Sequence, residues 1–405
     1  MEPLNSGVGD AEFAALMAPL GPFGRAPAIA AGVSGGPHSL ALALLAADWA
    51  AAGGGSLLAL IADHGLRPES HAESNAVGAM LAAQGITFRI LRLGLTPGPR
   101  MQERAREARL AALLGACAEA GRPWLLLGHH RADQAETLLF RALRGSGDAG
   151  LAAIAPVRAA PEALILRPLL SVEPTRLEAV CAARGLAPVR DPSNTDLRFA
   201  RIRLRAALAD TEGGPALALA AQAFAARRVR QDRDVACRLA VAAEFRPEGF
   251  ARVDPKALGS DEVAVLALAR LIRVVSGARH APSRAATRDL LAAGRGTLGG
   301  AWLRPGAGGQ WMLLRDPGAQ PKDAPERRDC RWDGRFRLRE AVVDGLRLDR
   351  PSQEEANLFK DLPAVIRTSL PVLRDPHGKL AMAASGGYRD PKSCFFFTPR
   401  GGAAT

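Results

Sequence analysis

The sequence predicts an α/β fold built on a parallel sheet, followed by a helical segment and a small β-containing C-terminal part. Three observations lead there. Short apolar runs alternate with helix-forming stretches through the first half of the chain. The texture turns helical and Arg-rich after about residue 205, and Trp, Gly and short alternating stretches enter from about residue 300. Alternating strands and helices need crossover connections, and hence a parallel sheet covered on both faces. The expected divisions are an α/β domain over 1–215, a helical domain over 216–315 and a small α+β domain over 316–405.

The strand candidates are PAIAAGV (27–33), SLLALIAD (56–63), ITFRILRL (86–93) and PWLLLG (123–128). Between them lie SLALALLAADWAA, ESNAVGAMLAAQ and MQERAREARLAALLGACAEA, all of helix-forming composition. Later helices are read in PALALAAQAFAARRVRQDRDVACRLAVAAEF and DEVAVLALARLIRVVSG, with Arg on their solvent sides. The stretches GAQPKDAPERRD and RDPSNTD have the Pro, Asp and Asn content of linkers or turns.

At 405 residues, two or three domains are expected. A hydrophobic share of 48% and a mean hydropathy of +0.01 describe a globular chain rather than a disordered one. The net charge of +12 and pI of 10.5 point to a polyanionic partner, nucleic acid first. An Arg-favouring genome would produce the same bias, and every Lys lies at or beyond Lys256. Cys117, Cys181, Cys237, Cys330 and Cys394 form no CxxC pair, which argues against a zinc site or disulfide scaffold and fits a reducing cytoplasm. No secretory signal is read at the N-terminus, and the interrupted Ala-rich runs predict no membrane span.

The stretch GVSGGPHSLALALLAA (32–47) joins a strand end to a long apolar helix through a glycine turn. Gly35 and Gly36 let a ligand approach the main chain, Ser34 and Ser39 add hydroxyls, and the helix N-terminus presents free N–H groups to an anion. Without a Lys, this is not the phosphate loop of kinases and GTPases. The segment SGGPHS is similar to the SGGxDS loop of the PP-loop ATP pyrophosphatase superfamily, whose members cleave ATP to AMP and pyrophosphate. ADHGLRPES (62–70), GHHRADQAETLLFRALRGSGDAGL (128–151), LRPLL (166–170) and RDPSNTDLRFARIRLR (190–205) follow in order. Together these motifs closely resemble the bacterial tRNA(Ile)-lysidine synthetases, strongly over about the first 215 residues and loosely beyond.

The resemblance implies a Rossmann-like catalytic domain and a ligase acting on the wobble cytidine of an isoleucine tRNA. In the family, ATP adenylates the C2 oxygen of the base, and the ε-amine of free L-lysine then displaces AMP. It implies ATP and Mg²⁺ as cofactors, and tRNA contact through basic helices from Arg227 to Arg238 and the Arg-rich C-terminal part. A homodimer is compatible with the sequence. Carried over residue by residue, Ser34, Gly35, Gly36, Pro37, His38 and Ser39 form the phosphate loop, while Asp63, His64 and Arg67 sit where adenosine recognition is expected. The alternative for those three is a strand-end cap and a surface Arg.

If a helix begins near Arg131, then His130, Asp133 and Thr137 share a face with Glu136 beside them. Carboxylates there could hold Mg²⁺, with Asp133 as the metal ligand, position the lysine ammonium, or accept its proton. The alternative is a capping role, with Asp133 as N-cap and Glu136 as its partner. Arg141 and Arg144 suit the C-terminal half of that helix. Arg201 or Arg205 is expected to meet ATP or the adenylate, against the alternative of a solvated basic face. Trp302, Trp311 and Trp332 are read as core packing rather than base stacking.

The sequence also departs from the family. His38 stands where the loop carries Asp, Ala132 replaces the first acid of an Asp-Asp pair, Leu110 replaces a Tyr, and Ile202 sits where many members have Asn. The first two changes remove negative charge from one metal–phosphate site, and imidazole is a poor Mg²⁺ ligand. Two readings follow: a working synthetase with an altered metal site, or a diverged relative that binds ATP or tRNA without efficient catalysis. Thiolation of a tRNA base is disfavoured by the missing CxxC.

Overall fold

A computed structural model describes residues 6–65, 69–95, 98, 101–146, 148–188, 213–319, 331–338, 346–360, 362–383 and 395–397. The chain divides into two units, Met1–Val229 and Arg230–Thr405. Arg67, Arg201, Ile202, Arg203 and Arg205 lie outside the described residues.

The first unit is the α/β part. Helix α1 (Asp10–Met17) precedes β1 (Ala28–Val33), α2 (Pro37–Ala52), β2 (Ser56–Asp63), α3 (Ser70–Ala83), β3 (Thr87–Arg92), α4 (Met101–Glu119) and β4 (Trp124–Leu127). Then come α5 (Arg131–Ala142), the one-turn α6 (Asp148–Leu151), β5 (Val157–Ala159), β6 (Leu164–Leu166) and α7 (Pro174–Ala183). All four strands read from apolar runs are present. The sheet order is β3-β2-β1-β4-β6-β5, parallel except for β5, which returns antiparallel to β6 along the edge. β1 and β2 are nearly continuous buried runs, as strands covered on both faces must be.

Helix α2 is apolar on every side and buried from Ser39 to Ala46. A helix of that kind needs cover all round. It lies against β1 and β2, and α7 packs on it as well, with the Cys181 thiol donating to the Pro37 carbonyl at 3.2 Å. Arg176 of α7 grips Glu12 of α1 through two contacts of 2.7 and 2.6 Å and donates to the Ser6 carbonyl at 2.9 Å.

The register aligns the strands' carboxyl ends. Val33 pairs with Ile61, Asp63 with Arg92, Gly32 with Leu127, and Leu126 with Leu166. The loops after β1, β2, β4 and β6 therefore leave from one edge of the sheet. Strand order reverses between β1 and β4, and the crevice outside such a reversal is where open α/β sheets bind ligands.

Helix α8 (Gly213–Ala242) runs across the division between the units. The second unit is not purely helical before residue 300: β7 (Ala243–Arg246), β8 (Phe250–Val253), β9 (Gly296–Leu298), β10 (Ala301–Pro305) and β11 (Trp311–Arg315) form an antiparallel sheet, ordered β7-β8-β11-β10-β9. The strands at 243–253 are too short and too mixed in polarity to stand out in the sequence. Helix Glu262–Ser276 supplies Leu268, Leu271, Ile272 and Val275 to the core beneath this sheet. Two small three-stranded sheets follow within 331–397. In the turn of the first, Asp333 accepts from Arg315 Nε at 2.7 Å and Arg335 Nε at 3.1 Å, and Arg335 also donates to the Ser369 carbonyl at 2.8 Å. Trp332 is buried, and Trp302 and Trp311 are partly buried against the cores. No helix among the described residues is long and apolar enough to cross a membrane.

Candidate active site

The glycine turn leaves β1 at the strand-order reversal. Gly35 has φ +83°, a left-handed conformation open to glycine without strain. Gly36 is the N-cap of α2 and Pro37 its first residue, so the turn leads directly into the helix. The Ser34 N–H donates to Ser39 Oγ at 3.1 Å, the two hydroxyls stand 3.1 Å apart, and Ser39 Oγ donates to the Gly36 carbonyl at 3.0 Å. These bonds shape the loop. The first-turn amides of α2 have no intrahelical acceptor and carry the positive end of the helix dipole.

From β4 the main chain passes close beneath this turn. A Cβ on Gly128 would lie 3.1 Å from the His38 carbonyl oxygen and 3.2 Å from Ser39 Cα. That approach brings α5 beside the loop: the His38 and His130 rings meet edge-on, with centroids 4.1 Å apart. From α7, Glu178 comes within 3.9 Å of His38 Nε2.

His130 is the N-cap of α5 and Asp133 its third residue. The His130 N–H donates to Asp133 Oδ2 at 3.0 Å, and His130 Nε2 lies 3.5 Å from the same oxygen. The cap is therefore centred one turn earlier than an Asp133–Glu136 pair. His130, Glu136 and Thr137 are all buried. Gln134 and Arg141 serve the fold: Gln134 bonds both backbone groups of Ile154 at 2.7 and 3.0 Å, and Arg141 donates to the Ala153 carbonyl at 2.7 Å. Arg144 lies over the Phe140 ring at 4.3 Å.

At the end of β2, the Asp63 carboxylate is buried. It accepts from the Gly65 N–H at 3.0 Å, from the Ser70 hydroxyl and from His71 Nδ1. Burial alone would raise its pKa, but these bonds and the His71 charge outweigh that and hold it below the ordinary carboxylate value. Its neighbour His64 is also held below its ordinary value, by burial first and then by Arg109, with Asp63 opposing.

A group of cations completes the site. Burial, helped by Arg158 and Arg106, pushes Arg167 down to about 10. Arg109 is lowered by its desolvated head group and by Arg106, although its side chain keeps solvent contact. His129 falls to about 4: burial dominates, Asp133 opposes it, and Arg167, Arg106 and Arg109 lower it further. Arg106, Arg109, Arg158 and Arg167 thus crowd one another beside a His129 that stays neutral near pH 7, and an anion placed among the arginines would relieve their repulsion. Sequence reasoning misses this cluster. Arg167 belongs to LRPLL and Arg109 sits beside Leu110, but only the sheet register and the crossing of α4 show that they converge.

The PP-loop domain family matches residues 10–212. The tRNA(Ile)-lysidine synthase of Methylobacterium nodulans is 39% identical over 325 residues, which cover 74% of this chain and 93% of that protein. The chain belongs to the tRNA(Ile)-lysidine synthase family. The Bradyrhizobium sp. synthase is 46% identical over 212 residues, covering 51% of this chain and 59% of that one, so the likeness is concentrated in the PP-loop part. The Ralstonia nicotianae synthase is 36% identical over 326 residues, 75% of this chain and 68% of that protein. Among solved structures, the U34-tRNA thiolase NcsA from Methanococcus maripaludis aligns at 16% identity with a TM-score of 0.44, over 54% of this chain and 77% of that one. That likeness is too slight to add to the assignment.

For a tRNA(Ile)-lysidine synthase the site has an unusual donor set. Among the described residues, no three His, Cys, Asp or Glu side chains are grouped to hold a metal ion. His38 and Ala132 supply no carboxylate, and one oxygen of Asp133 is engaged by the His130 N–H. Asp133 and the buried Glu136 are the carboxylates left on α5 beside the loop, and Mg²⁺ is commonly held by one or two carboxylates together with substrate phosphates and water.

Proposed function

We propose that this chain joins L-lysine to C2 of the wobble cytidine of an isoleucine tRNA, using ATP and releasing AMP and pyrophosphate. One observation carries the reading beyond the family name: the Ser34–Ser39 turn opens at the strand-order reversal, between the His130–Asp133 start of α5 and the Arg109–Arg167 cations. In this reading the amides of Gly35, Gly36 and the first turn of α2 hold the pyrophosphate end of ATP, with Ser34 and Ser39 beside them. The arginines stabilise the charge that builds on the departing pyrophosphate, the role for which preorganised cations are most effective. The base oxygen bonds the α-phosphorus as pyrophosphate leaves. The lysine nitrogen then bonds C2, the C2–O bond to AMP breaks, and Asp133 or Glu136 takes the amine proton. No step is assigned to a protein-held metal.

His64 and Arg67 are assigned to the adenosine. Arg201 and Arg205 remain assigned to ATP or the adenylate. Residues 1–215 carry the chemistry, 216–315 contact tRNA, helped by Arg227, Arg228, Arg230 and Arg233 of α8, and 316–405 form the C-terminal domain; the reaction belongs in the cytoplasm.

The departures at His38 and Ala132 favour one competitor, a relative that binds ATP and tRNA but turns over poorly. Mass spectrometry of an isoleucine-tRNA transcript after incubation with protein, ATP and lysine tests both. A gain matching lysine addition supports the synthetase. An unmodified tRNA from protein that still binds ATP supports the competitor.

A further inference from the structure

We infer that Asp63 is a positioning residue rather than an adenosine ligand: with Ser70 and His71 it clamps the chain leaving β2, and so fixes His64 at the nucleotide site. The inference rests on the ATP reading above. A carboxylate meant for a ligand would keep most of its acceptor capacity free. Asp63 does not: Oδ1 accepts twice and Oδ2 once from within the chain. It is 2% exposed, and both of its oxygens are occupied from within the chain.

Its partners lie on both sides of the connection. Gly65 follows two residues later and is held in the left-handed region at φ +63°, with its N–H on Asp63 Oδ1 at 3.0 Å. This is an Asx-type turn, which sets the backbone at His64. Ser70 and His71 open α3, and their side chains return to the same carboxylate. One carboxylate therefore ties the exit of a strand to the start of the next helix. His64 sits between these ties. Its Nδ1 is buried without a hydrogen-bond partner among the described residues, an arrangement suited to a group that a ligand completes.

His71 follows the ADHGLRPES stretch directly and lies in the first turn of α3. The His71 side chain is 59% exposed, so its removal leaves no cavity. The groups facing the clamp are Asp63 from β2, Asn75 from α3 and Arg92 from β3, which together line a cleft of about 420 Å³. Arg92 stands opposite Asp63 in the strand register and adds positive charge from the third element.

The test compares ATP affinity by calorimetry for the wild type, His71→Ala, His71→Asn and Ser70→Ala/His71→Ala, together with hydrogen exchange of the segment 62–72. His71→Ala should weaken ATP by about tenfold, the scale of one hydrogen bond to a charged group, and the double variant should weaken it further. Exchange should quicken chiefly in that segment, and the double variant, which leaves a buried carboxylate short of partners, should also melt lower. His71→Asn, whose amide can replace Nδ1–H, should recover most of the affinity. Equal affinities for the wild type and the double variant would overturn the clamp and leave the ATP reading standing. A wild type that binds no ATP would overturn both.

Discussion

Replacing Gly128 with alanine tests whether the end of β4 braces the nucleotide loop. The added Cβ would stand 3.1 Å from the His38 oxygen, 3.2 Å from Ser39 Cα and 3.3 Å from the His38 carbonyl carbon, against 3.4 Å where ordinary contact begins. All three are main-chain atoms, so no side-chain rotation relieves them. Either β4 or the first turn of α2 must move by a few tenths of an ångström. Overpacking of a tight interior costs about 1–3 kcal/mol, and contacts this mild belong in the lower half of that range. For a unit of this size each kcal/mol lowers the melting temperature by roughly 2–4 °C. The displaced atoms carry the phosphate-binding amides, so the damage extends to the ligand. A saturating ligand at about a hundred times its Kd stabilises a protein by roughly 2.7 kcal/mol, and the variant should gain clearly less at the same ATP concentration. Thermal unfolding with and without ATP reads both effects. A Gly128→Ala protein that melts with the wild type and gains equally from ATP would refute the bracing argument.

Restoring acids with His38→Asp and Ala132→Asp should make ATP binding depend on Mg²⁺ and raise lysidine formation, read by calorimetry with and without chelator and by tRNA mass; a fall in both would show that imidazole is part of the working site. Because folding lowers the His129 pKa from 6.5 to about 4, the unfolded chain takes up its proton first as pH falls. Stability should therefore be full above pH 6.5 and decline between 6.5 and about 4, and His129→Gln should flatten that decline in denaturant titrations. Replacing Arg227 and Arg230 of α8 with Ser should weaken tRNA binding about equally across sequences. The salt slope should fall by roughly one for each phosphate no longer neutralised, measured by filter binding over a salt series.

The strands β1 to β4 are legible because each is an apolar run bounded by turn residues, and α2 because its apolar run continues too long for a strand. β5 and β6 are three residues each, too brief for periodicity to register. The nucleotide turn can be read from Ser34 to Ser39 since its residues are contiguous. What surrounds it cannot. Glu178 reaches His38 from α7, Arg109 and Arg167 come from separate elements, and their convergence depends on strand order. The helical spacing links Asp133 to His130, but the hydrogen bond to the His130 backbone depends on where α5 starts, a boundary that composition leaves loose by a residue or two. Asp63 reads as facing a ligand because its position matches the motif; its burial and its two side-chain partners in α3 are tertiary facts.

The hold of Cys181 on Pro37 spans 144 residues of sequence. During synthesis, the helix that begins at the phosphate turn must wait for α7 to emerge before one of its apolar flanks is shielded. Until then that flank is open to stray association, and the nucleotide pocket matures only once α7 has been made.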